Sequence, residues 1–494
     1  MISRNSYNLI VLFLGLIGCT PALSSDYPHA NQAKPLNVLF IIADDLRADA
    51  LNFGDNPYIL TPNIRNLADN GIRFTNCYVM GGHHGAICAP SRAMLMSGKQ
   101  LFRVYDKLDG VYTMPQHFAK HGYKTFGTGK WHNGAESFIA SFQHGKNVFL
   151  GGMCDHFKVP CRDLLPEKKL SLPTEKGYST DVFTDAAIDF ISGYANGQDK
   201  APFFCYLAYT APHDPRSPRD TAQFLGKQPY IPLPGNFMSA HPFDHGDLQI
   251  RDEHLAAWPR NPEKIRESLA DYYAMIAHLD ERIGDLINTL KKYDLYDNTL
   301  IVFTADNGLA VGSHGLLGKQ NLYEHSMKVP LVLHGPGVPG NQTTKSLVYL
   351  FDLFPTLSSL SGLPIPNDVD GKNLTSIIKN PAASVRDVIF TAYRHTIRAV
   401  RTREWKLIRY PERNFTQLFN LNDDPLELHN LAVDEDYQIK VNEMTALLKT
   451  YQKQFNDTVD WTADKVLPLD YDYRVFKQQP DVHQPNYILN KYFR

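Results

Sequence analysis

Six places in the sequence carry residue types suited to chemistry: Asp44-Asp45, Cys88, Lys130 with His132, His213, Asp306-Asn307 and Lys319. Cys88 opens Cys88-Ala89-Pro90-Ser91-Arg92, ahead of a short helical run through Ala93-Met94-Leu95-Met96. Pro90 suits a first helical turn and Gly98 suits the end. A group at a helix N-terminus meets free N–H donors and the positive end of the backbone dipoles, a good place for an anion. On that logic alone Cys88 is a candidate reactive thiolate. Asp44, Asp45, Asp306 and Asn307 offer hard oxygen donors, suited to Ca²⁺ or Mg²⁺ and poorly suited to zinc. A lone Asp-Asp after a strand reads best as a solvated turn; two such groups at strand ends favour a metal. Asp49 reads as a surface residue. His132 and His213 are candidate proton-transfer groups, and His314 either lines the site or packs.

These residues need a scaffold that brings them together. Asn37–Ala43 is a continuous apolar run, as for a strand buried on both faces. Further strands are expected at 123–128, 203–210, 299–304 and 329–334, with helices at 62–70, 180–192 and 265–292 between them. Strands alternating with helices imply an α/β domain with a largely parallel sheet. Asp44-Asp45, Lys130/His132, His213 and Asp306-Asn307 each fall just past a strand's C-terminal end, where open α/β sheets build their sites. Past residue 384 the texture changes to short strand-like pieces at 387–393, 397–402, 405–410 and 417–420, then a helix at 436–455. This predicts a catalytic domain over 37–384 and a smaller antiparallel subdomain over 385–494. The stretch 216–262 is rich in Pro, His and Asp without periodicity, and reads as a substrate-facing insertion.

The chain has 494 residues, 43% hydrophobic, with a formal net charge of −2. That is enough for a large core and excludes the strong basic bias of a nucleic-acid-binding protein. An anionic substrate must be held by local positive groups. Arg4 and the short apolar run 9–18 read as an export signal over residues 1–18. Leu16-Ile17-Gly18-Cys19 resembles a bacterial lipobox, so Cys19 is expected to carry lipid, with 19–36 as a tether. The expected location is the cell envelope of a bacterium, periplasmic or at the cell surface, with membrane contact only through that lipid. Cleavage after Ala22 is the alternative. Export permits a disulfide between Cys154 and Cys161, while Cys77 and Cys205 read as buried thiols.

The pentapeptide at Cys88 resembles the C-x-P-S-R signature of type I sulfatases. The likeness continues through Asp44-Asp45, Gly129-Lys130-Trp131-His132, Pro212-His213, Asp306-Asn307-Gly308, Gly315 to Tyr323, Trp405-Lys406-Leu407, and Leu418-Phe419-Asn420-Leu421 with Asp424-Pro425 and Glu427. The resemblance implies an alkaline-phosphatase-like fold, Cys88 oxidised to formylglycine by a formylglycine-generating or sulfatase-maturating enzyme, and one Ca²⁺ on Asp44, Asp45, Asp306, Asn307 and residue 88. It further implies sulfate held by Lys130 and Lys319, Arg92 positioning the nucleophile, His213 protonating the leaving alcohol and His132 taking the proton that releases sulfate. The Gly-Gly-His-His-Gly-Ala-Ile-Cys context looks like sulfatases of marine bacteria that degrade algal polysaccharides such as ulvan. For a sulfated carbohydrate, His83, His84, Arg216, His314, Arg394, His395 and Arg398 are candidate substrate contacts. Two alternatives stand: a formylglycine-dependent phosphodiester or phosphonate hydrolase on the same scaffold, and an inactive lipid-anchored glycan-binding protein.

Overall fold

Alternation of apolar strands and amphipathic helices builds a large mixed sheet. The computed structural model describes residues 35–53, 56–219, 230–477 and 485–492. The expected export signal, Cys19 and all but the last two residues of the tether lie outside the described residues. The strands are β1 (Asn37–Ala43), β2 (Ile72–Tyr78), β3 (Gly81–Gly82), β4 (Lys124–Lys130), β5 (His144–Phe149), β6 (Pro160–Cys161), β7 (Thr174–Glu175) and β8 (Phe203–Ala208). They continue with β9 (Thr299–Ala305), β10 (Lys328–His334), β11 (Gln342–Thr344), β12 (Val348–Tyr349), β13 (Ile389–Tyr393), β14 (Ile397–Arg401), β15 (Trp405–Tyr410) and β16 (Phe415–Asn420).

The large sheet runs β11-β2-β10-β9-β1-β8-β4-β5, with β12 also on β2. Its centre is parallel and β10 is antiparallel to both neighbours. All seven residues of β1 are buried, which requires cover on both faces. One group of helices, Pro62–Asp69, Ser179–Asn196 and Pro262–Lys292, packs together; a second includes Cys88–Ser97, Met114–Lys120 and Leu353–Leu360.

Register explains why the site forms. Ala43 of β1 pairs with Ala305 of β9, Ile42 pairs with Ala208 of β8, and Ala208 pairs with Gly129 of β4. The residues that follow these pairs therefore emerge side by side. The Asp306 amide donates to the Ala43 carbonyl at 3.1 Å, locking the two acidic turns together. Gly129 has φ +85, and a Cβ there would lie 1.8 Å from the Ala208 carbonyl oxygen. Only glycine permits this approach, which seats the end of β4 against β8 just ahead of Lys130.

The smaller sheet runs β16-β15-β14-β13-β3. Its four C-terminal strands are antiparallel and match the expected pieces, and helix Gln438–Gln454 packs on it. The fifth strand, β3, comes from just before Cys88 and pairs with β13 in parallel. The described residues form one compact unit. Cys154 and Cys161 are both buried free thiols, so the disulfide that export would permit is not formed here; Cys77 and Cys205 are also buried and free.

Candidate active site

Cys88 is the first residue of the helix Cys88–Ser97, which ends at Gly98 in the left-handed conformation (φ +67). Every residue of this helix is buried. Its start faces a pocket of about 310 Å³ lined by Gly85, Ala86, Cys88, His132, Gly152, Met153, His213, Ile250, Arg251, Asp252, Lys319 and Gln320. Cys88 Sγ lies 3.3 Å from His132 Nδ1 and 3.5 Å from Lys130 Nζ.

Beneath it sits a network of charges with almost no exposure. Lys130 Nζ donates to Asp44 Oδ2 at 2.5 Å, and Lys319 Nζ to Asp45 Oδ1 at 2.5 Å. Asn307 Nδ2 donates to the same Asp45 oxygen at 2.7 Å. Arg92 Nε donates to Asp306 Oδ2 at 2.8 Å and its Nη1 to the Lys130 carbonyl at 2.7 Å, tying the Cys88 helix to the ends of β4 and β9. Asp45 and His132 hold left-handed backbone (φ 60 and 64), at roughly 1–2 kcal/mol each for a side chain with a Cβ. Such strain is sustained where the surrounding contacts dictate it.

A hard divalent cation fits this arrangement. Ligand atoms of Asp44, Cys88 and Asp306 lie within 4.8 Å of one another, as do those of Asp44, Asp45 and His213. Asp44 Oδ1 and Asn307 Oδ1 are buried acceptors without a hydrogen-bond partner, a state that ordinarily costs free energy. The donors beneath Cys88 are dominated by oxygen, which suits Ca²⁺ or Mg²⁺. Three carboxylates face three cations, so a divalent ion would leave the pocket floor positive, ready for an anionic group.

Ionisation follows from this packing. Burial, then the charge of Asp306, raises Asp44, and burial raises Asp45. Burial also pushes Asp306 up, but Arg92, Lys130 and Lys319 outweigh it and bring its carboxyl down to about 2. Burial pushes the Cys88 thiol up to about 11, although Lys130 and Lys319 pull the other way. This corrects the expectation of a reactive thiolate: desolvation overrides the helix N-terminus. Burial, with Lys130 and Arg92, brings His132 down to about 2, so it is a neutral acceptor at working pH. Burial, then Lys319, also holds His213 down. His213 Nδ1 lies 2.7 Å from the Asp214 carbonyl, which can only accept, so Nδ1 carries the proton and Nε2 is left free, 3.5 Å from Asp45 Oδ2.

The structure thus brings together Asp44, Asp45, Cys88, Arg92, Lys130, His132, His213, Asp306, Asn307 and Lys319. None of the seven expected substrate contacts lines this pocket, and four of them are held elsewhere. His314 is buried, stacked on Tyr323 at 3.9 Å, with Nε2 on the Glu427 carbonyl. Arg398 is buried in a bidentate pair with Asp457 (2.5 and 2.9 Å). His395 is exposed and pairs with Glu412. Arg216 is buried, with Nε and Nη2 unpartnered. His83, His84 and Arg394 stand on the segments leading to the pocket wall. His83 bonds to the Leu101 carbonyl, and Arg394 to Asp247. Asp49 pairs with Arg47 and has an exposed side chain. Ile250, Arg251 and Asp252 of the insertion, together with Gly152 and Met153, line the pocket without having been singled out. Their spacing carries no signal; only the aperiodic, polar texture of the insertion pointed there.

The chain as a whole is similar to known proteins. A profile of the Sulfatase family matches residues 36–363, and one described as N-sulphoglucosamine sulphohydrolase, C-terminal, matches residues 312–454. The N-acetylglucosamine-6-O-sulfatase of Bacteroides thetaiotaomicron is 26% identical, over 87% of this chain and 88% of its own. The ulvan-active sulfatase of Formosa agariphila is 26% identical, over 91% and 87%. Among solved structures, BT4656 in complex with D-glucosamine-2-N,6-O-disulfate superposes with a TM-score of 0.73 at 24% identity, over 86% of this chain and 99% of that one. A phosphonate monoester hydrolase from Silicibacter pomeroyi shares the fold as well, with a TM-score of 0.67 at 20% identity, over 86% and 96%. The fold alone therefore does not separate sulfate from phosphonate chemistry; the family match, across two thirds of the chain, shows that this protein belongs to the Sulfatase family.

Proposed function

We propose that the protein removes sulfate from a sulfated polysaccharide or oligosaccharide, with Cys88 oxidised to formylglycine and one Ca²⁺ beneath it. The observation that carries this reading is the convergence on Cys88 of His132, Lys130 and a floor of oxygen donors with two buried acceptors unsatisfied. A thiol held up to about 11 is a poor nucleophile there, which supports conversion of the residue. The sugar reading draws on relatives that act on N-acetylglucosamine 6-sulfate and on ulvan; an algal glycan such as ulvan is the candidate substrate.

Asp44, Asp45, Asp306, Asn307 and residue 88 would hold the cation. When bound, Ca²⁺ would offset charge on the sulfate oxygens. Formylglycine supplies, as its hydrate, a hydroxyl nucleophile and a second hydroxyl whose deprotonation releases sulfate. Lys130 and Lys319 bind sulfate oxygens and balance the charge that develops. Arg92 keeps Asp306 and the end of β4 in register with residue 88. His132 Nδ1 faces residue 88 as a neutral acceptor and takes its proton. His213 Nε2 gives the leaving alcohol its proton; burial and Lys319 disfavour the charged imidazole, so that proton must be stabilised by the anionic substrate. The maturating enzyme acts on Cys88, and lipid on Cys19 would keep the enzyme at the bacterial envelope.

The test combines sulfate release from a panel of algal and animal glycans with mass spectrometry of the Cys88 peptide. The expected result is sulfate release and the mass loss of thiol to aldehyde, both abolished in Cys88→Ala. Unmodified cysteine in active protein, or faster release of phosphate than of sulfate, would overturn the reading.

A further inference from the structure

Beside the pocket wall formed by Gly85 and Ala86 lies a rim with a composition of its own. Tyr105 is 84% exposed, an unusual state for an aromatic ring on a folded protein. Its ring lies 6.4 Å from that of His83. The loop beneath it is not loose. Asn133, buried beside His132, donates through Nδ2 to the Asp106 carbonyl and also to the Ala89 carbonyl at 2.9 Å. The platform is thereby fixed to the first turn of the nucleophile helix.

The Asp106 carboxylate pairs with His84 Nε2. The Ala86 amide donates to His84 Nδ1 at 3.2 Å, and Gly85 and Ala86 form the pocket wall. Across from it, the Arg394 amide donates to the Gly82 carbonyl at 2.8 Å, which holds Arg394 beside the same segment. Its guanidinium bonds to Asp247 at 2.9 Å and stays 38% exposed. His84 is 48% exposed. Arg394 is close enough for its charge to oppose protonation of His84, which Asp106 favours.

An exposed aromatic face flanked by oriented donors is what a sugar ring requires: C–H groups stack on the ring and polar substituents bond at its edge. We propose that this rim is a subsite for a second, anionic sugar, with Tyr105 under the ring and His84 and Arg394 on its sulfate or carboxylate. The preferred substrate is then a sulfated oligosaccharide whose scissile sugar has a charged neighbour, not a monosaccharide. This rests on the glycan reading above.

The experiment compares kcat/KM on 4-nitrophenyl sulfate, on sulfated monosaccharides, and on two oligosaccharide arms: ulvan and heparin fragments, which contain uronate, and carrageenan fragments, which carry sulfate alone. Wild type should prefer at least one arm over the monosaccharides. Tyr105→Ala should lower the ratio of oligosaccharide to aryl-sulfate activity about tenfold, the size of one good contact, and Tyr105→Trp should retain it. Arg394→Ala should lower the same ratio, on the uronate arm for a carboxylate ligand and on the carrageenan arm for a sulfate. Equal losses on aryl sulfate and oligosaccharide, unchanged ratios, or a wild type that turns over aryl sulfate yet prefers no oligosaccharide would each overturn the subsite and leave the sulfatase reading intact. A matured wild type inactive on every sulfate ester would instead overturn the function, and the subsite with it.

Discussion

At the ends of β1 and β9, Asp44, Asp45 and Asp306 face Arg92, Lys130 and Lys319. Beside the small sheet, Glu324 and Glu427 face Lys406 and Arg401. Both clusters are buried, and both border a cavity, the second one of about 290 Å³. They differ in their spare bonding capacity. In the second cluster three of the four carboxylate oxygens are hydrogen-bonded, Glu324 Oε2 to Tyr78 at 2.5 Å, Glu324 Oε1 to Lys406 Nζ at 3.0 Å and Glu427 Oε2 to the Glu324 amide at 2.7 Å, and the fourth, Glu427 Oε1, makes no hydrogen bond but lies 2.7 Å from Lys406 Nζ. In the first, Asp44 Oδ1 and Asn307 Oδ1 are left over. Buried charge, a cavity and a carboxylate oxygen without a hydrogen bond are thus common to both clusters; what sets the first apart is two such acceptors, one past each of two neighbouring strands.

The strongest way to break this comparison is to change the first cluster's capacity for a cation. Asp306→Asn should reduce sulfate-ester turnover by about a thousandfold. Wild type should melt at a higher temperature with Ca²⁺, gaining about 2.7 kcal/mol at a hundred times Kd, and the variant should lose most of that gain. A calcium-dependent rise of the same size in both proteins, read by thermal unfolding, would show that the leftover acceptors are not the cation site.

Lys406→Met asks the converse. Two buried carboxylates lose their shared cation, so stability should fall by about 3–5 kcal/mol in denaturant unfolding. The kcat/KM of the folded protein should move less than about twofold. A large catalytic loss without destabilisation would mean that the second cluster takes part in the reaction.

The smallest effect is a change of pH profile. Burial raises the Glu427 carboxyl from its ordinary 4.5 to about 7. Between those values the folded state holds a proton that the unfolded state has released, so this group's stabilisation is full below pH 4.5 and is lost as pH rises towards 7. Glu324 works in the opposite direction: burial raises it, but Lys406 and Arg401 outweigh that and lower it, so its contribution is lost only on acidification below its ordinary range. Glu427→Gln should therefore flatten the fall in melting temperature across pH 5–7, bounded by the Glu427 shift. An unchanged slope would remove Glu427 from the account.

What could be read in the sequence was what strands impose. β1, β8 and β9 announce themselves as apolar runs because both faces are buried, and parallel register then carries the residues after them to one edge. Asp44, Asp45, His213, Asp306 and Asn307 were legible for that reason. Tyr105 and the pocket-lining Ile250–Asp252 were not, because irregular loops follow no period and reach the pocket only through distant tertiary contacts. The second charge cluster was equally hidden. Lys406 and Glu427 stood inside family-like motifs and Glu324 directly after one, yet nothing in their spacing shows that they face one another. Burial also reversed one local inference, since the helix start that should favour a thiolate at Cys88 is too dry to hold one.

β3 has a consequence for the life of the polypeptide. Gly81 pairs with Ala392, more than three hundred residues later. Contacts so distant along a chain form late, because the intervening loop must first be closed. During synthesis, the stretch leading to Cys88 must wait, without its strand partner, until most of the chain has appeared. Once docked, Cys88 is 2% exposed. Under the proposed function, an enzyme that oxidises this cysteine would thus have a window of opportunity set by the ribosome's progress, closing when the last quarter of the protein arrives.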